Sequence, residues 1–207
     1  GAAPGGALRA VPRRLVRPLQ EVERYVCGII AVVRRPSDRV PTPVAELVAT
    51  LDGVAPLIAA DDTDRAGALG AAADRLESVD QALRGVPGLL SLRRDRVGAD
   101  RLSAHVDGLG AAVAAVESLL DDPHTAPPAD QLEAVNAALL RCKDALWAIS
   151  RDRLRAVREV DALVGASFDA DGGSAAGLAV ALSLHQALSA LDRLEVRGRD
   201  SAGLEVQ

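Results

Sequence analysis

A chain of 207 residues, 49% apolar and 26% charged, has the length and balance of one or two globular domains. Its formal charge of −5 gives no reason to expect a nucleic-acid partner, and its two cysteines, Cys27 and Cys142, make neither a disulfide framework nor a metal set. Tyr25, Trp147 and Phe168 are the only aromatic residues, so a core must come from Leu, Val and Ala, which suits packed helices better than a sheet sandwich.

Residues 1–26 are rich in Gly, Pro and Arg and show no periodic apolar face and no apolar signal core, so they are expected to lie outside the fold. The chain does not begin with Met. Val26 can be encoded by GTG, a bacterial start codon, and Gln20-Glu21-Val22 by a ribosome-binding sequence. Translation is therefore expected to start at residue 26, leaving Cys27 first once Met is removed; a cleaved propeptide is the alternative. Residues 27–39 hold a short apolar strand, Gly28 to Val33, which Arg34-Arg35-Pro36-Ser37-Asp38 ends.

Residues 40–172 read as helices. Thr42-Pro43 signals a start, and Val44, Leu47, Leu51, Val54 and Ile58 share one face, which Gly53 and Pro56 should bend. Asp61-Asp62-Thr63 is expected to stop that helix and cap the next, in which Leu69, Ala72, Leu76, Val79 and Leu83 recur at helical spacing. Gly85-Val86-Pro87-Gly88 should close it, with at most a turn of helix over Leu89–Arg96. From Gly98, the residues Leu102, Val106, Leu109, Val113, Val116 and Leu120 form a heptad seam. A long helix is expected from about Pro128 to Val164, with seam Leu132, Val135, Leu139, Cys142, Leu146, Ile149, Arg153, Val157 and Val160. Trp147 lies just off that seam. Four or so such helices would pack as an antiparallel bundle or long hairpins. After the loop Asp169–Gly173, residues 173–207 give a helix capped by Ser174, with Leu178, Leu182, His185, Leu188 and Leu191 on one side, and a strand starting at Gly203.

The helical region offers little chemistry. His105 and His124 are isolated, His105 reading as an exposed or hydrogen-bonded helix residue; His185 reads as a satisfied buried histidine, and Cys142 as core. Helix capping explains Asp61-Asp62-Thr63-Asp64, which lacks the Gly and Glu of a calcium loop. No metal and no cofactor is expected. No apolar run reads as long enough to span a bilayer, so the expected compartment is the cytoplasm, with no membrane partner.

Two distant pieces carry a more specific signal. Cys27-Gly28-Ile29 stands near the start, and Arg197-Gly198-Arg199-Asp200-Ser201-Ala202-Gly203 follows Leu194-Glu195-Val196 near the end. Together they resemble the opening of the class II glutamine amidotransferases, which are N-terminal-nucleophile hydrolases. Among these they are most similar to the glutaminase part of glutamine–fructose-6-phosphate aminotransferase. That family runs Cys-Gly-Ile, a strand, a helix ending Leu-Glu-Tyr, then Arg-Gly-Tyr-Asp-Ser-Ala-Gly; both Tyr positions differ here, as Val196 and Arg199.

The resemblance implies Cys27 as the nucleophile and Arg197 as a residue of the glutamine site. Gly28, Gly198, Asp200, Ser201 and Gly203 would shape the turns around it. A cysteine thiol has a pKa of about 8.5 and is little ionised at neutral pH, whereas a free α-amine at about 7.7–8.0 can take its proton. Cys27 must therefore be N-terminal to be activated this way. The resemblance also implies glutamine as substrate, a sugar phosphate acceptor bound by further domains, and a homo-oligomer. The expected architecture is mainly α, α+β overall, with a helical bundle inserted between the first two strands of an incomplete hydrolase sandwich. The family's later glutamine-binding His-Thr-Arg-Trp and oxyanion-hole Asn-Gly motifs do not occur in these 207 residues. An inactive N-terminal fragment is therefore expected. Alternatives are an amidophosphoribosyltransferase-like enzyme, whose motif runs closer to His-Arg-Gly-Gln-Asp, or a non-enzymatic helical interaction or scaffold protein.

Overall fold

The computed structural model describes residues 31–35, 37–60, 64–121, 128–165 and 174–195. Eight α-helices and one π-helical segment fill them: α1 Val44–Asp52, α2 Ala55–Ile58, α3 Arg65–Ala82, α4 Gly85–Arg94, α5 Arg96–Leu120, α6 Ala129–Trp147, the π segment Ala148–Leu154, α7 Arg155–Val164 and α8 Ala175–Glu195. The mainly helical expectation holds. No strand occurs among the described residues. Ala31–Val33, the described end of the expected first strand, pair with nothing as a ladder, and Val33 is 89% exposed. The rest of that strand and all of the second lie outside the described residues.

Local chemistry explains most helix boundaries. The expected bend falls at Gly53, which separates α1 from α2, and Val44, Leu47, Leu51, Val54 and Ile58 are all buried. Thr42 does not cap α1; Pro43 occupies that position and contributes no side-chain bond. Asp64 caps α3, accepting a hydrogen bond at 2.9 Å from the Gly67 N–H, in the role expected of Asp61-Asp62-Thr63. Asp95 caps α5 in the same way through the Gly98 N–H at 2.8 Å, and Ser174 caps α8 through the Gly177 N–H at 3.1 Å.

Gly85-Val86-Pro87-Gly88 is not only a breaker. It is the first turn of α4, a full helix where at most a turn was expected. Gly85 has φ +72°, a backbone setting that favours glycine, and a Cβ on Gly88 would overlap the Leu83 carbonyl. Pro87 is tolerated because first-turn N–H groups have no intrahelical acceptor to lose.

The α3 seam residues Leu69, Ala72, Leu76, Val79 and Leu83 are buried, as are Leu102, Val106, Leu109, Val113 and Val116 on α5. The most extensive helix pair is α3 with α6. Cys142 on α6 reaches Leu69, and Arg153, on the π segment that continues α6, reaches Asp80; both members of the second pair lie further along the chain by the same number of residues, so rising residue numbers on one helix meet rising numbers on the other. The two helices run parallel because α4 and α5 lie between them in the chain and return it. Around this pair, α1 and α2 lie against both α3 and α5, and α5 lies against α6.

The expected long helix from Pro128 is helical throughout to Val164 but passes through the π segment. There Ile149 and Leu154, five residues apart, are buried, whereas Arg153, placed on the seam by an α-helical count, lies at its edge with its side chain still 17% exposed. The wider turn skips a charged side chain off the seam and returns Leu154, Val157 and Val160 to the core.

Helix α8 packs on α4 and α7, contributing Leu178, Ala181 and Leu182 to the same core, while Val180 and Leu188 stay exposed. Its window Ala175–Asp192, of mean hydropathy 1.2, is just long and apolar enough to cross a bilayer by composition, contrary to the reading of the sequence.

Leu76 is fully buried and Leu140 is 58% exposed. Leu76→Ala should therefore cost about 2–5 kcal/mol of unfolding free energy, and Leu140→Ala less than about 0.5, both read from urea denaturation.

Candidate functional site

The residues singled out by resemblance, Cys27, Gly28, Arg197, Gly198, Asp200, Ser201 and Gly203, lie outside the described residues. The structure instead describes what stands beside them in sequence. Arg34, seven residues after Cys27, belongs to segment 31–43, whose described residues are non-helical. Its Nε donates to Ser183 Oγ at 2.6 Å and its Nη2 to Gln186 Oε1 at 2.6 Å, both on α8. Ser183 Oγ in turn donates to the Ala179 carbonyl at 2.8 Å. Burial pushes the Arg34 guanidinium below its ordinary pKa.

A second arginine of the same segment, Arg39, donates to the carbonyls of Gln81 (2.7 Å) and Arg84 at the end of α3. A cation at the carboxyl end of α3 complements the helix dipole. Segment 31–43 is thus held at two points by guanidinium groups, not by its apolar side chains: Val33 and Val40 are 89% and 83% exposed.

Two carboxylates organise the arginines of the bundle. Asp80, 4% exposed, accepts from Arg84 Nε and Nη2 at 2.9 and 2.6 Å and from Arg153 Nε at 2.8 Å. Asp161 is shared by Arg93, whose side chain is buried, and Arg96 at 2.5 Å. These links tie α3 to the π segment and α4 to α7. They are satisfied structural pairs with no room for a substrate between them. On the surface Arg141 bridges Asp74 and Glu77, and these bonds raise its pKa.

The remaining candidates are structural. Cys142 is buried, its thiol directed at the Leu69 carbonyl at 3.5 Å. Burial is the main cause of a pKa pushed up to about 11, with Arg141 opposing and Glu77 assisting. A thiol held neutral is no nucleophile. His105 Nε2 lies 2.8 Å from Asp52 Oδ1, joining α5 to α1 as a surface pair, in line with the hydrogen-bonded reading. His185 is half-buried on the α7 side of α8. Burial is the largest cause of its lowered pKa; Arg155 adds to it, and Glu159 and Asp152 oppose it. His124 lies outside the described residues. Among the described residues, no group of three or more His, Cys, Asp or Glu could hold a metal ion.

Sequence reasoning did not single out Arg34, Ser183 and Gln186. The pairing joins positions 149 and 152 residues apart, and no local periodicity signals such a contact. Compared with known protein families, with curated proteins and with solved structures, the chain shows no significant match to any.

Asp80→Ala should cost about 3 kcal/mol, because Arg153 then stays in a mostly buried setting without its carboxylate. Arg84→Ala, whose side chain is 58% exposed, should cost under about 1 kcal/mol in the same chemical-denaturation measurement. His185, with its folded-state pKa lowered, favours the neutral form on folding. Its contribution is complete above its ordinary value of 6.5 and is lost as pH falls through the lower folded-state value. Between pH 7.5 and 5, His185→Gln should therefore lose less stability than the parent chain.

Proposed function

We propose that the chain carries the nucleophile-bearing part of a class II glutamine amidotransferase, most similar to the glutamine–fructose-6-phosphate type. Its helices would form an interaction or oligomerisation module between two pieces of one glutaminase site. The observation that carries the reading is the pairing of Cys27-Gly28-Ile29 with Arg197-Gly198-Arg199-Asp200-Ser201-Ala202-Gly203 in family order. The Arg34 bonds to Ser183 and Gln186 lend it support: they tie the segment that follows the first piece to the helix that leads into the second.

In this reading the Cys27 α-amine takes the thiol proton and the thiolate attacks the side-chain carbonyl carbon of glutamine. The C–N bond breaks, the amide nitrogen leaves as ammonia with that proton, and a thioester to Cys27 remains. Water then cleaves the thioester to glutamate and restores the thiol. Arg197 would hold the glutamine, and a sugar phosphate bound by further domains would take the ammonia. The exposed Leu140 and Trp147 on α6 suit the proposed interaction role of the bundle.

The test is a glutamate-release assay on a protein that has Cys27 as its first residue and carries the family's glutamine-binding motifs. Release is expected from the parent chain and should be abolished in Cys27→Ala. A parent chain that contains those motifs and releases no glutamate would overturn the assignment.

A further inference from the structure

We propose that the outer face of α6 is the contact surface of a two-fold dimer, with a second copy of this chain as its partner. The dimer deepens, and rests on, the interaction role proposed for the bundle, and it is independent of the glutaminase chemistry. Helix α6 and the turn that continues it carry two stripes. Val135, Leu139, Cys142, Leu146 and Ile149 turn inward and are buried. On the other side Glu133, Ala137, Leu140, Asp144, Trp147 and Arg151 recur in steps of four and three, and all are exposed. Such spacing is that of a second helix-packing seam. The chain's one tryptophan, 53% exposed, stands on it two turns from Leu140, 58% exposed. Tryptophan is the residue most enriched at the energetic centres of binding surfaces.

The charges on this stripe select the partner. On its flanks the cations are already paired, Arg141 with Asp74 and Glu77 of α3 and Lys143 with Glu117 of α5. Glu133, Asp144 and Arg151, on the stripe itself, make no ion pair with another described residue. Two such helices laid antiparallel and level at position 142 bring Glu133 opposite Arg151 of the second copy at both ends of the contact. The same register sets Ala137 opposite Trp147, a small side chain against the largest, and brings Asp144 level with the flanking Arg141. A parallel pairing would set Glu133 on Glu133 and Arg151 on Arg151, which repels at both ends. The antiparallel register is self-complementary in charge and in size, as a contact between identical copies requires.

The experiment is sedimentation of the full 207-residue chain over a concentration series, with Trp147 fluorescence read on the same samples. A dimer is expected at about 0.1 mM, dissociating on dilution, because a surface one helix wide is at the small end of specific contacts. Trp147 emission should shift to shorter wavelength as the dimer forms. Trp147→Ala should weaken the dimer about thirtyfold or more. Glu133→Arg and Arg151→Glu should each weaken it about tenfold, since the two-fold axis repeats the mismatch, and the two together should restore it. These positions are exposed, so the variants should keep the parent's helical circular dichroism, and the double reversal decides the matter even if one single variant misfolds. A monomer throughout the series would overturn the proposal. So would a monomer whose Trp147 emission is already shifted, because another part of the chain then covers the face. A dimer indifferent to both reversals would overturn this surface and leave the interaction role of the bundle in place. None of these outcomes bears on glutamate release, so failure of the dimer and failure of the glutaminase reading are told apart.

Discussion

With three aromatic residues in 207, this core has to be filled by short aliphatic side chains, and that shortage sets how the helices lie. A ring buries far more area than a Val or an Ala, so its place must be taken by closer backbones and more contacts per helix. The α3–α6 pair shows the result. Ala72 and Ala73 on one helix and Ala138 and Ala145 on the other are all buried, alongside Leu69, Leu76 and Leu139. Small residues let the axes approach; the leucines fill what remains. The only tryptophan, by contrast, is more than half exposed and contributes little to this packing.

Close helices leave no space for unpaired charge, and the arginines of the bundle are arranged accordingly. Asp80 and Asp161 each accept from two guanidinium groups, one well covered and one largely solvated. The π segment belongs to the same economy of space. By letting five residues separate Ile149 from Leu154, it keeps the apolar seam continuous and leaves Arg153 at the edge, where Asp80 can meet it.

The parts of the fold that could be read in advance are those fixed by period. The seams of α1, α3 and α5 follow from spacing alone, since one buried stripe per helix is all the packing requires. Three features could not be read. Gly85–Gly88 looks like an ending because Gly and Pro usually are, yet an N-terminal turn tolerates both. The π turn leaves no mark beyond a charged residue on a seam. The parallel run of α3 and α6 depends on what crosses between them. The candidate site is proposed on a different basis, the identity of residues near two ends of the sequence and not periodicity. Those residues lie outside the described structure.

The parallel pairing of α3 and α6 also bears on how the chain reaches its fold. Helical bundles usually form quickly because neighbours in sequence become neighbours in space. Here the central pair joins residues 64 to 73 positions apart, as in Arg141 with Glu77 and Cys142 with Leu69. Closing such a span loses chain entropy before any seam contact forms to offset it. The helical core of the described residues thereby acquires the folding problem of a sheet protein, with a centre that depends on distant partners.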